Sequence, residues 1–299
     1  MGPSLARMLR RAADVLGDGR TIFAISRWSD AVQRAALEQH GVEVVSTDLS
    51  HAHAALPDAP NVIFMAGQKF GTADSPERTR IANIVVPGLA AERYAASRIV
   101  AFSTGNVYAF TPVSQGGAGE GDVLGPVGEY AQSCVERELG FEKSSRSRGT
   151  RVAIIRLNYA VDLRYGVLVD IAVRVYSDMP VNVEMGYANV IWQGDANAQA
   201  ISCLPLASSP PFVVNVTGPD VVRIRDAAAR FAVLFGREAR IEEAEAPDAL
   251  LSNTTLARGL FGSPAISTGT LIDWVADWVR RGGTRLGTPT HFEERGGRF

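Results

Sequence analysis

Few side chains in this 299-residue chain stand where chemistry could be done. Tyr130 and Cys134 lie one helical turn apart and therefore face the same way. A hydride transfer at a carbinol or carbonyl carbon needs a group that gives or takes the proton on oxygen. A tyrosine phenol serves if its pKa, near 10 when unperturbed, is lowered. Cys134 carries no positive charge at neutral pH and so does not lower it. Thr104 can hydrogen-bond a substrate oxygen. Arg137, seven residues after Tyr130 on the same face, is either a cation for this site or, by default, a solvated surface charge. Cys134 as a nucleophile would need a histidine, and none is near it in sequence, so a core or site-lining thiol is the default. His51 and His53 form a His-x-His pair. Only His40 and His291 remain elsewhere, and no Cys or carboxylate cluster completes a metal-ligand set.

The elements that must position these groups are legible from period and punctuation. Residues 1–16 recur at helical spacing, with Pro3 suited to a first turn and Gly17 to a stop. Strands are predicted over 21–26 (TIFAIS), 42–46 (VEVVS), 61–66 (NVIFMA), 98–103 (RIVAFS) and 151–157. Helices are predicted over 29–40, 77–96 and 129–143. Strands alternating with helices imply right-handed crossovers and a doubly wound parallel sheet, with its ligand at the carboxyl ends of the strands. After Leu157 the alternation loosens. Short strands at 189–192 and 212–216 fall among helices at 195–204, 222–235 and 267–281, which suggests a smaller lobe. The Gly-rich run 116–121 (GGAGEG) does not lead from a strand into a helix and is expected to be a mobile loop. Trp274 and Trp278, four apart on a helix, are expected to pack.

Composition excludes several classes. Thirty Lys and Arg against 32 Asp and Glu give a formal net charge of −2, which offers no field for nucleic acid or anionic lipid. No apolar run is long enough to span a membrane. Two cysteines, Cys134 and Cys203, make no disulfide framework, and a cytoplasmic location is expected. The expected partners are a small-molecule substrate and a second copy of the chain.

Several segments carry more than composition. Ser103-Thr104-Gly105-Asn106-Val107-Tyr108 closes one strand, and Glu120, Asp122 and Pro126 lead to Gly128-Glu129-Tyr130. Residues 61–67 (NVIFMAG) end in Ala66-Gly67, Asp48-Leu49 follows the second strand, and Arg156-Leu157-Asn158-Tyr159 and Asn215-Val216-Thr217-Gly218-Pro219 come later. In this order they resemble the extended short-chain dehydrogenase/reductases, the NAD-dependent epimerase/dehydratases, over nearly the whole chain. The resemblance implies a Rossmann-like sheet in residues 1–160 and a smaller α+β substrate lobe in 161–299, with segments near 189–216 returning to the sheet. It implies an NAD(P)-dependent oxidoreductase or epimerase/dehydratase acting on a carbonyl, hydroxyl or sugar-like molecule. Tyr130 would be the acid/base and Thr104 the oxygen anchor, with Cys134 where the family has lysine. Gly2, Asp48, Leu49, Ala66, Gly67 and Ser103 would face the cofactor, and Asn106, Asn158 and Tyr159 the substrate. Helices around 77–96 and 129–143 would form a dimer. Ser26 and Arg27, closing the first predicted strand without a carboxylate, favour NADP, with NAD the alternative. The rival is a non-catalytic dinucleotide-binding or regulatory protein.

Met1-Gly2-Pro3 resembles the last third of that family's opening glycine turn. The first strand and two earlier glycines have no counterpart, and the start is expected to be internal to a longer frame. Loss of that strand would leave two inner strand edges unpaired or force them to re-pair.

Overall fold

The β-branched runs become parallel strands whose carboxyl ends gather the groups of interest. A computed structural model describes residues 1–51, 56–72 and 74–298; His53, half of the His-x-His pair, lies outside the described residues. Strand β1 (Phe23–Ser26) pairs with β2 (Glu43–Ser46). Strands β3 (Asn61–Phe64), β4 (Arg98–Thr104), β5 (Arg151–Leu157) and β6 (Phe212–Val216) form a second sheet in the order β6-β5-β4-β3. Every pairing in both sheets is parallel. Register sets the working edge: Ser103 lies opposite Arg156 and Thr104 opposite Leu157, which also faces Val216. Among the described residues β1 pairs only with β2, and β3 only with β4, so each keeps one edge without a strand.

Helix α1 (Gly2–Leu16) stops at Gly17 in the left-handed conformation, and α2 (Ala31–Gln39) is capped by Asp30, whose carboxylate accepts the Gln33 N–H. The long helix expected over 77–96 is instead broken. Helix α3 (Pro76–Arg80) runs into a π turn (Ile81–Val85) and then α4 (Val86–Arg93). Pro87 has no N–H for the carbonyl four residues back and its ring would strike that carbonyl, so the turn before it widens. Helix α5 (Gly128–Arg148) is longer than expected and crosses β4 and β5. Beyond the sheet, α6 (Val167–Tyr176), α8 (Ile224–Phe235) and α10 (Thr268–Arg280) share a core of aliphatic residues around Phe231. Helices α7 (Gln193–Ser202) and α9 (Thr255–Phe261) cover the sheet side. The strand expected at 189–192 is reduced to Ile191–Trp192, paired with Ala160–Val161. Among the described residues, no helix is long and apolar enough to cross a membrane.

Residues 116–121 are not a loose loop. At Gly117, with φ of 101°, a Cβ would come within 2.7 Å of the Leu251–Ser252 backbone. Ala118 N–H donates to Leu251 O at 2.9 Å, and Asn215 N–H donates to Glu120 Oε1 at 2.9 Å. Gly117 permits this close backbone packing.

A buried polar network joins helix to sheet. Arg156 Nη2 donates to Glu138 Oε2 at 2.7 Å and its Nη1 to the Tyr108 hydroxyl at 2.8 Å. Ser103 Oγ donates to Glu138 Oε1 at 2.5 Å, and the Tyr108 hydroxyl donates to Asn215 Oδ1 at 2.9 Å. Both charged side chains are under one-tenth exposed. Removing one partner leaves an unpaired buried charge, so Glu138→Leu should cost about 3–5 kcal/mol in denaturant unfolding. Glu138→Leu with Arg156→Met should recover much of that loss.

Candidate active site

Tyr130 stands in the first turn of α5, so the start of that helix aims it. Gly128 has φ of 84° and lies against the Gly297 backbone, where any Cβ would collide with the Gly297 carbonyl. From there the Tyr130 phenol faces the Thr104 hydroxyl and the Cys134 thiol. Thr104 Oγ1 donates to Asn106 Oδ1 at 2.9 Å and accepts the Asn106 N–H at 3.2 Å. Burial pushes the Tyr130 phenol well above the ordinary tyrosine range, and a Cys134 thiolate would add to that; the Arg137 guanidinium pulls it down. Cys134 is fully buried, and burial raises its thiol as well.

Arg137 is not a surface charge. It is 6% exposed because α5 turns this face onto the sheet and the loop after β3. Its Nη1 donates to Phe102 O at 3.0 Å and its Nη2 to Asn83 Oδ1 at 2.7 Å. Asn83 sits in the π turn and donates to Gln68 O and Ser133 Oγ, which locks that turn to the loop and to α5.

Asn106 and Tyr159 line one small cavity with Tyr108, Glu294 and Arg295. Tyr159 has φ of 35°, a strained backbone for a tyrosine, and such strain concentrates at functional sites. Residues 290–297 cover this mouth. Thr290 N–H and Oγ1 both donate to Asp170 Oδ2, at 2.8 and 2.6 Å. Arg174 pairs with Glu293 at 3.2 Å, and Arg295 pairs with Asp248 and lies over the Phe110 ring. The cavity left beneath is about 10 Å³, room for a single water. Lys69, from the loop after β3, donates to Thr290 O at 3.4 Å. Neither Lys69 nor the 290–297 segment carries a sequence signal, because no local periodicity marks them.

Other expected positions divide. Gly67 is exposed at the sheet's edge, and a Cβ there would collide with Arg137 Nη2. Ser26 and Arg27 are exposed where β1 ends, and Gly2 is exposed in the first turn of α1. Asp48 is exposed in a turn closed by the Ser50 N–H and hydroxyl, whose hydrogen bonds lower its pKa. Leu49 and Ala66 pack against the sheet core. Ser103 spends its hydroxyl on Glu138, and Asn158 is buried with its amide donating to Leu250 O at 3.1 Å. His51 bonds Ser50, and among the described residues no His, Cys, Asp and Glu cluster could hold a metal.

No protein-family model and no curated protein matches this sequence. Solved structures do match its fold. UDP-glucuronic acid 4-epimerase from Bacillus cereus in complex with NAD superposes with a TM-score of 0.77 over 92% of this chain and 95% of its own, at 15% identity. Pal from Bacillus thuringiensis gives 0.75 over 92% and 96%, at 16% identity. The UDP-glucose 4-epimerase of Thermus thermophilus in complex with NAD gives 0.72 over 91% and 94%, at 19% identity. The chain therefore shares its Rossmann-like fold with these proteins over nearly its whole length.

Burial pushes the Lys69 ammonium down to about 8, against the pull of Asp170 and Cys134. Between pH 8 and the ordinary lysine range near 10.4 the folded chain holds fewer protons than the unfolded one, so Lys69 makes stability rise with pH there. The buried thiols of Cys134 and Cys203, raised above the ordinary cysteine range, act in the opposite sense, so the Lys69 contribution is read by difference: the Tm of the wild type minus that of Lys69→Met should rise across pH 8–10.

Proposed function

We propose that this chain is an NAD(P)-dependent oxidoreductase or epimerase/dehydratase acting on a hydroxyl or carbonyl of a small, sugar-like molecule. The observation that carries this reading is the Tyr130 phenol facing the Thr104 hydroxyl at the carboxyl edge of the sheet, beside the cavity of Asn106 and Tyr159. The residues at that edge fit a dinucleotide. Gly67 is exposed there, and the first turn of α1 presents N–H groups free of helix partners, beside the exposed Gly2. Ser26 and Arg27 would meet the adenosine ribose, and Gly67 the ribose and phosphates nearer the reacting end. Arg27 is exposed and makes no ion pair among the described residues, which supports NADP; the NAD carried by the Bacillus and Thermus epimerases supports NAD.

When bound at that edge, a dinucleotide would supply the hydride acceptor and donor. Tyr130 takes the proton from the substrate hydroxyl, or gives it back, through its phenol oxygen. The Thr104 hydroxyl, turned from Asn106 Oδ1 toward the substrate, would donate to that same oxygen and keep it in reach. Asn106 holds the Thr104 hydroxyl in place, and Tyr159 closes the far wall. Residues 161–299 mainly supply the substrate lobe, and the 290–297 segment excludes water from the mouth. Leu139, exposed on α5, supports a dimer through α4 and α5. A cytoplasmic location agrees with two free thiols.

A second reading, a dinucleotide-binding protein without turnover, is favoured by Cys134 and by the raised Tyr130 phenol. The two separate in one experiment. In the enzyme, Tyr130→Phe should lower turnover by about 10²- to 10⁴-fold while calorimetric NADH or NADPH binding stays near wild type. Nucleotide binding without turnover on any hydroxyl or carbonyl substrate would support the second reading.

A further inference from the structure

Arg137 is a buried cation without a counter-charge. Its two terminal nitrogens bond a backbone carbonyl and an amide oxygen, its Nε has no partner, and among the described residues no carboxylate lies at ion-pair distance. Its neighbour Glu138 turns to Arg156 instead. An unpaired buried charge costs several kcal/mol, so such a group is retained against a structural penalty. A glycine is required above it, since a Cβ at Gly67 would collide with Nη2, and Asn83 is held by Gln68 and Ser133 so that its oxygen meets the guanidinium. The surroundings are built around this side chain.

Resting on the acid/base reading of Tyr130, we propose that Arg137 is the positioning residue that supplies the positive charge Tyr130 needs to exchange a proton. Position 134, one turn nearer, cannot carry that charge. The helix places residues 130, 134 and 137 on one face. Arg137 is also the first of the groups that oppose burial at both Tyr130 and Cys134. Among the other titratable groups around the pair, the cation Lys69 is balanced by Asp170 of α6, whereas no described carboxylate balances Arg137. Glu138 on the same helix is negative and held by Arg156 and Ser103; Lys69, from the loop after β3, is coupled to Cys134 and to Asp170 of α6.

The test uses the full chain with Arg137→Gln, which keeps an amide donor, and Arg137→Met as a second neutral variant should the first misfold. Arg137→Lys restores the charge, and Cys134→Lys is made alone and with Arg137→Gln. If the charge at 137 serves the 130–134 face, Cys134→Lys crowds two cations. It should then lower Tm by about 3 °C or more beyond its effect in the Arg137→Gln background. Equal Tm changes in the two backgrounds overturn the proposal, whether or not a substrate is found. The second readout is the pH profile of NAD⁺ or NADP⁺ reduction with UDP-glucose as probe. Its rising limb should move up by about one pH unit or more in Arg137→Gln, and return in Arg137→Lys and in the Cys134→Lys, Arg137→Gln double variant. A uniform loss with an unmoved limb makes Arg137 a packing residue and overturns the proposal. Turnover that survives Tyr130→Phe overturns the reading of the site itself, whereas turnover lost there with an unmoved limb overturns only the role of Arg137.

Discussion

The ion pair between Arg156 and Glu138 ties α5 to the carboxyl ends of the two central strands, and the geometry of the site follows from that tie. Arg156 belongs to β5 and Glu138 to α5; Ser103 brings in β4, while Tyr108 and Asn215 bring in the following loop and β6. A buried pair stabilises only when its remaining donors and acceptors are satisfied, and here each charged group has several partners. Because Ser103 and Arg156 are register neighbours, one carboxylate reaches both. Tyr130, two turns up the same helix, is thereby held over Thr104.

A second tier of contacts closes the site from the opposite side. Residues 290–297 run from Asp170 and Arg174 on α6, past Lys69, to the Val127–Gly128 backbone. Their carriers are far apart in the chain, so the segment bridges the α6, α8 and α10 cluster and the sheet. It also explains two glycines together: Gly128 and Gly297 both have positive φ and lie so close that neither tolerates a side chain. The entrance to α5 and the cover over the cavity are thus one packing arrangement.

Most of the fold is legible in the order of the residues. Apolar runs alternating with amphipathic ones require crossovers and a parallel sheet, and the strands at 98–104, 151–157 and 212–216 appear within a residue of where the pattern puts them. Departures have local causes. Pro87 breaks the long helix into α, π and α turns, and Gly117 allows a backbone approach that composition reads as looseness. Ser103 and Asn158 carry polar groups suited to a ligand, yet their partners are internal. A motif names a residue type and does not say which neighbour has claimed its hydrogen bonds.

Sequence alone determined the alternation that makes the sheet, the strand ends that gather Ser103, Thr104 and Asn106, and the helical period that sets Tyr130 and Cys134 on one face. These depend on side-chain order and backbone period, which are local properties. Only the tertiary structure decided that Arg137 is buried without a counter-charge, that Lys69 enters the cleft, and that residues 290–297 cover it. Those outcomes rest on contacts between residues separated by 35 to 221 positions, such as Arg137 with Phe102 and Lys69 with Thr290. No window along the chain encodes them, because burial and pairing are settled by what the rest of the fold brings alongside.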